Sequence, residues 1–137
     1  MSTSPADALS NVDLFRKLSG RQLKKLAAAG RQVVSPDGKR IAGEGDSALA
    51  FHVILSGEAE VTRGGQTLRV LGPGDYFGEI SMIDGKPRSA SVTTVGEVTA
   101  FAIPHASFAA LVAADPEISQ ALLLALCARL RDAESRA

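Results

Sequence analysis

The chain has 137 residues, with 15 Lys and Arg against 15 Asp and Glu, a formal net charge of zero and a hydrophobic share of 45%. That length fits one domain, taken here as residues 1–137, with a core that needs neither disulfides nor a metal. Zero charge argues against direct nucleic-acid binding, the lone Cys127 excludes an internal disulfide and suits a reducing compartment, and the longest apolar run, Ala121 to Ala128, is too short to span a bilayer.

In chain order, residues 1–6 read as a disordered tail. Met1-Ser2-Thr3-Ser4-Pro5 has neither a charged n-region nor an apolar h-region, so no secretory signal is expected and the location reads as cytoplasmic. Asp7 to Leu18 reads as short helical pieces with Leu9, Val12, Leu14, Phe15 and Leu18 as apolar contacts. Ser19 and Gln22 form a capping box. It opens a helix with Leu23, Leu26 and Ala27 on one side and a solvated face of Arg21, Lys24 and Lys25 on another. Gly30 is placed at the C′ stop of that helix.

From Arg31 the hydrophobic period changes. Glycines punctuate short alternating runs: Phe51, Val53 and Leu55 share one strand face, and Ala59 and Val61 share a face in the next. Gly64-Gly65 is a hairpin turn leading into Leu68 and Val70. Ala90, Val92 and Thr94 form one alternating run and Val98, Ala100 and Ala102 another. Many short strands with regular turns predict a β-sandwich or barrel. Pro104 ends the strands, and His105 to Ala114 reads as a short helix. Asp115 then caps a last helix with Pro116 at its first position. This helix has two apolar stripes, Ile118, Ala121, Leu122 and Ala125, and Leu123, Leu126, Cys127 and Leu130. Packing on one surface needs only one stripe. The second is open to ligand, to another subunit or to the core.

The densest chemistry lies in residues 77–92. Gly78 lets backbone approach a ligand with no Cβ in the way. Glu79 to Ile83 can make one helical turn, whose free N–H groups favour a phosphate. Arg88 adds a planar, permanently charged fork suited to phosphate oxygens. Glu79 would be repelled by a phosphate, so it is matched to a neutral donor such as a sugar hydroxyl. The stretch reads as a pocket for a small anion that carries a sugar.

Phe77-Gly78-Glu79-Ile80-Ser81, a Gly85- and Pro87-containing turn, and Arg88-Ser89-Ala90-Ser91-Val92 resemble the phosphate-binding cassette of cyclic nucleotide-binding domains. The resemblance extends over about residues 9 to 135, through Gly38-Lys39-Arg40-Ile41, Glu44-Gly45-Asp46, Val53 to Gly57 and Leu71 to Glu79. It implies a mainly β fold, a double-sheet jelly roll (31–103) with N-terminal helices (7–30) and two C-terminal helices (104–135) that act as a lid. It implies that Glu79 accepts from the ribose 2′-hydroxyl and that Arg88 pairs with the cyclic phosphate. The Ser81 and Ser89 N–H groups would be further phosphate donors, with Gly78 and Ile80 beside the sugar and Ala90 beneath the phosphate. Val53, Leu68 and Val70 are candidates for a wall beside the base, or for plain core. The lid positions that bond the base in catabolite activators fall near Ala133 and Glu134, and Leu130 and Glu134 are the lid candidates. Ser89, where cyclic-GMP-selective kinase sites usually carry Thr, leaves cyclic AMP ahead of cyclic GMP. No other cofactor is expected. The remaining expected partners are an unidentified effector protein and a second copy through the last helix.

An enzyme is not expected. Cupins share the jelly roll, but their metal needs several histidines; His52 and His105 read as two unrelated residues, and no catalytic or metal site is assigned. Catabolite activators continue into a helix-turn-helix domain, for which no room is expected here. The alternatives are the sensing part of a larger regulator, or a degenerate interaction domain that binds no nucleotide.

Overall fold

The computed structural model describes residues 4–46 and 49–135; residues 1–3 of the expected tail lie outside the described residues. Two short helices open the chain, α1 (Pro5–Ser10) and α2 (Gly20–Ala29), joined through a 3-10 turn at Asp13–Phe15. Ser4 caps α1 by accepting from the Asp7 N–H, with Pro5 in the first turn, so residues 4–6 are ordered by a cap rather than left as tail. Leu9, Val12, Leu14, Phe15 and Leu18 are all buried, as the apolar spacing requires.

The Ser19–Gln22 capping box is formed in both directions, at 3.2 and 2.7 Å. The Gln22 amide also donates to the Asp115 carboxylate, at 3.0 Å to Oδ2. Gly30 ends α2 in extended backbone, not in the left-handed conformation expected of a C′ stop. It is glycine for another reason: a Cβ there would lie 2.3 Å from the Ala102 carbonyl oxygen.

Six strands follow, β1 (Arg31–Ser35), β2 (Arg40–Ala42), β3 (Ala50–Arg63), β4 (Gln66–Leu71), β5 (Tyr76–Phe77) and β6 (Ser91–Pro104), in one continuous antiparallel sheet. β3 and β6 are its long axis and pair with each other along most of their length. β1 and β5 join one half of that ladder, β2 and β4 the other. The glycines at 57 and 96 kink these strands instead of ending them. Gly57 has φ +89°, and a Cβ on it would meet the Glu97 carbonyl at 2.3 Å. Gly64 and Gly65 make the expected hairpin turn, both with positive φ, between paired Arg63 and Gln66.

The register of β3 on β6 shifts between Ile54 and Glu58. Before the shift, Phe51 and Val53 face the helices and Ile54 faces the interior of the roll. After it, Ala59 and Val61 face the interior. A register shift moves every following side chain to the opposite face. The helices close the first side: α4 (His105–Ala114) and α5 (Pro116–Ser135) bring Phe108, Ile118 and Leu122 against Phe51, Phe101 and Ile103. Asp115 caps α5, its Oδ1 accepting from the Glu117 N–H at 3.0 Å. No single helix among the described residues is long and apolar enough to cross a membrane.

Candidate functional site

β5 delivers the chain to Gly78, whose φ of +103° strongly favours glycine. A Cβ at Gly78 would stand 2.7 Å from the Ala50 carbonyl oxygen and 2.8 Å from Arg88 Nη1. Gly78 caps the expected helical turn, α3 (Glu79–Asp84), and Gly85 at φ +70° ends it. The chain then returns to Arg88, whose backbone is gripped by the β2–β3 loop. Its N–H donates to the Asp46 carbonyl (2.9 Å), and its carbonyl accepts from the Gly45 N–H (2.8 Å).

The Arg88 guanidinium reaches back across Gly78 and donates from Nη2 to the Ala50 carbonyl, at 2.9 Å. It lies 5.8 Å from the centre of the Phe77 ring, within cation–π range. Burial pulls the Arg88 pKa down, and the Glu79 charge opposes that. Arginine remains charged throughout. His52 stacks flat on the same Phe77 ring, 4.8 Å between centroids and 7° between planes. Burial, then the Arg88 charge, lowers the His52 pKa to about 4. His105, read from sequence as unrelated, contributes a further lowering.

Glu79 is only 1% exposed. One carboxylate oxygen, Oε1, accepts from Nη1 of Arg129, 50 residues away on α5. Arg129 Nη2 donates to the Tyr76 carbonyl at 3.2 Å, and the guanidinium lies over the Tyr76 ring. The second oxygen of Glu79, Oε2, is buried and has no hydrogen-bond partner among the described residues.

Phe77, Glu79, Arg88 and Arg129 line a cavity of about 440 Å³. All seven cassette residues singled out from sequence, Gly78, Glu79, Ile80, Ser81, Arg88, Ser89 and Ala90, border it, and so does Leu68. Four arginines (Arg63, Arg69, Arg88 and Arg129) face two carboxylates (Glu79 and Asp132) in the lining, an excess of two positive charges suited to an anion. Arg63 is tied to the cassette, donating from Nε to the Ser89 carbonyl at 3.0 Å.

Four candidates for the base wall fall elsewhere. Val53 is 0% exposed in the core beneath the helices, on the sheet face away from the cavity. Val70 is 54% exposed on the edge strand β4, beyond the lining. Leu130, 61% exposed, and the exposed Glu134 are likewise outside it; Arg129, Asp132 and Ala133 take that position. Successive helix positions are about 100° apart, so a face one residue away is a different face. Of the two stripes on α5, the first packs inward through Ile118 and Leu122, while Leu123, Cys127 and Leu130 of the second stay exposed.

The family model described as the cyclic nucleotide-binding domain matches residues 32–115. The chain belongs to the cyclic nucleotide-binding domain family. It is 31% identical over 130 residues to a CRP-like cAMP-activated global transcriptional regulator of Mycobacterium tuberculosis, covering 91% of this chain and 58% of that one. It is 41% identical over 88 residues to a cAMP-dependent protein kinase regulatory subunit of Yarrowia lipolytica, covering 62% and 23%. Among solved structures it is similar to the Thermus thermophilus catabolite activator protein, with TM-score 0.82, 32% identity, and coverage of 90% and 61%. The chain thus spans somewhat more than half of the M. tuberculosis relative. The six-stranded antiparallel sheet with flanking helices is the jelly roll of this domain family. The family match ends at Asp115, so Arg129, the partner of Glu79, lies outside it.

Proposed function

We propose that this cyclic nucleotide-binding domain is a non-enzymatic sensor of cyclic AMP, with cyclic GMP as the weaker ligand. The observation that carries the reading is the pair of charged residues in one cavity: Arg88 held ready for an anion, and buried Glu79 with one oxygen unpartnered. Arg88 takes the cyclic phosphate with the Ser81 and Ser89 N–H groups, and Glu79 Oε2 accepts from the ribose 2′-hydroxyl. A buried acceptor without a donor is costly, and a ligand hydroxyl removes that cost. The relatives in M. tuberculosis and Y. lipolytica, a cAMP-activated regulator and a cAMP-dependent kinase regulatory subunit, support cyclic AMP as the ligand.

Arg129 gives the site an output. It joins Glu79 to α5, so a ligand that bonds Glu79 changes the setting of the lid helix. The exposed Leu123, Leu124 and Leu130 of α5 support pairing with a second copy or an effector protein. The exposed, unpaired Cys127 supports a reducing, cytoplasmic location. The neutral formal charge supports a partner other than nucleic acid.

Titration with labelled cyclic AMP, followed by competition with unlabelled cyclic AMP, cyclic GMP, 2′-deoxy cyclic AMP and linear AMP, tests the reading. Saturation at a hundredfold excess over Kd adds about 2.7 kcal/mol of stability. No binding and no melting shift at millimolar cyclic AMP, in folded protein, refutes it.

A further inference from the structure

The phosphate-facing arginine depends on a stack of rings that carries no charge of its own. Arg88 lies over the Phe77 ring, and His52 packs flat against that same ring. His52 and Phe77 are register partners on β3 and β5, so their separation is set by the sheet. The Ala50 carbonyl, two residues before His52 on the same strand, accepts from the Arg88 guanidinium. The Nδ1 atom of His52 is buried with no hydrogen-bond partner among the described residues. Burial and the Arg88 charge keep the ring neutral. A neutral ring stacks beside a guanidinium without repelling it. The imidazole therefore contributes a flat face to the ring on which Arg88 rests.

We infer that His52 is a positioning residue for Arg88: through the Phe77 ring it fixes the guanidinium where an anionic ligand meets it. This rests on the proposed binding of a cyclic phosphate only for its consequence, not for its geometry.

The test compares His52→Ala with His52→Phe, which restores a flat ring. The first readout needs no nucleotide. In ¹⁵N spectra of the unliganded protein, the Arg88 Nε–H signal, assigned by its loss in Arg88→Lys, moves in His52→Ala and stays near the wild-type position in His52→Phe. The second readout is affinity: cyclic AMP binding weakens about three- to tenfold in His52→Ala, the scale of one lost aromatic contact, and recovers to within about twofold in His52→Phe. If His52→Ala does not fold, His52→Leu keeps the volume without the flat face and carries the same expectation. An unmoved Arg88 signal in folded His52→Ala or His52→Leu overturns the inference, as does equal loss in all variants, which marks a purely structural role. Absence of cyclic AMP binding in the wild type refutes the proposed function instead, and leaves the arginine signal to decide this one.

Discussion

Arg129 is the most informative residue to remove. Its guanidinium bonds Glu79, which is 1% exposed, while its own side chain is 27% exposed. Deleting one partner of a buried ion pair costs about 3–5 kcal/mol because the other charge is left uncompensated. Water reaches Arg129 from one side, which screens the pair, so about 2 kcal/mol is expected for Arg129→Met. For a chain of this size that corresponds to a fall in Tm of roughly 6–10 °C. Glu79→Gln in the same background removes the stranded charge and should recover about half of the loss. The measurement is urea denaturation of the wild type, both single variants and the double variant at pH 7 and low salt. Because Arg129 lies near the end of α5, part of the loss should also appear as faster hydrogen exchange in the last turns of that helix. A loss below about 0.5 kcal/mol in Arg129→Met, or strictly additive variants, refutes the claim that this pair holds the lid to the cassette.

The cassette could be read from sequence because its chemistry is local. Gly78, Glu79 and Arg88 lie within one turn, one short helix and one return, and spacing alone brings them together. Arg129 could not be found that way: its partner is 50 residues away, and it falls in line with the apolar stripe of Ile118, Leu122 and Ala125, where a core contact is expected. The available signal was the charge itself, an arginine interrupting that stripe while a buried carboxylate needed a counter-charge. Val53 stood open between base wall and core, because the β3–β6 register shift, which turns Ala59 and Val61 to the opposite face from Val53, is not visible in the alternation itself. Gly57 marks that shift, but sequence does not say whether such a glycine ends a strand or bends it. Gly30 shows the same ambiguity, since close approach to Ala102 and a left-handed cap both demand glycine.

Three further outcomes follow from the geometry. Gly78→Ala places a methyl against the Ala50 carbonyl in a backbone conformation with φ +103°; it should cost at least about 2 kcal/mol by denaturation and disturb Arg88, and a neutral result refutes the packing described. Arg88→Ala should weaken cyclic AMP about 25-fold or more, with incomplete rescue by Arg88→Lys, while Glu79→Gln narrows the preference for cyclic AMP over its 2′-deoxy analogue. The reverse pattern of 2′ discrimination exchanges the roles assigned to the two residues. The last outcome concerns pH. The folded His52 pKa is lowered to about 4 from 6.5, by burial first and then by the charges of Arg88 and His105. Between those values the unfolded chain binds a proton that the folded chain does not, so stability must fall as pH falls. The full contribution is present above pH 6.5 and is lost progressively toward pH 4. At 1.36 kcal/mol per pH unit, discounted for partial exposure, the loss is about 2–3 kcal/mol. His52→Phe takes up no proton at this position, so the difference in unfolding free energy between wild type and variant should change by that amount between pH 7 and pH 4. A difference that stays constant over the range means that the fold does not hold this imidazole neutral beside Arg88.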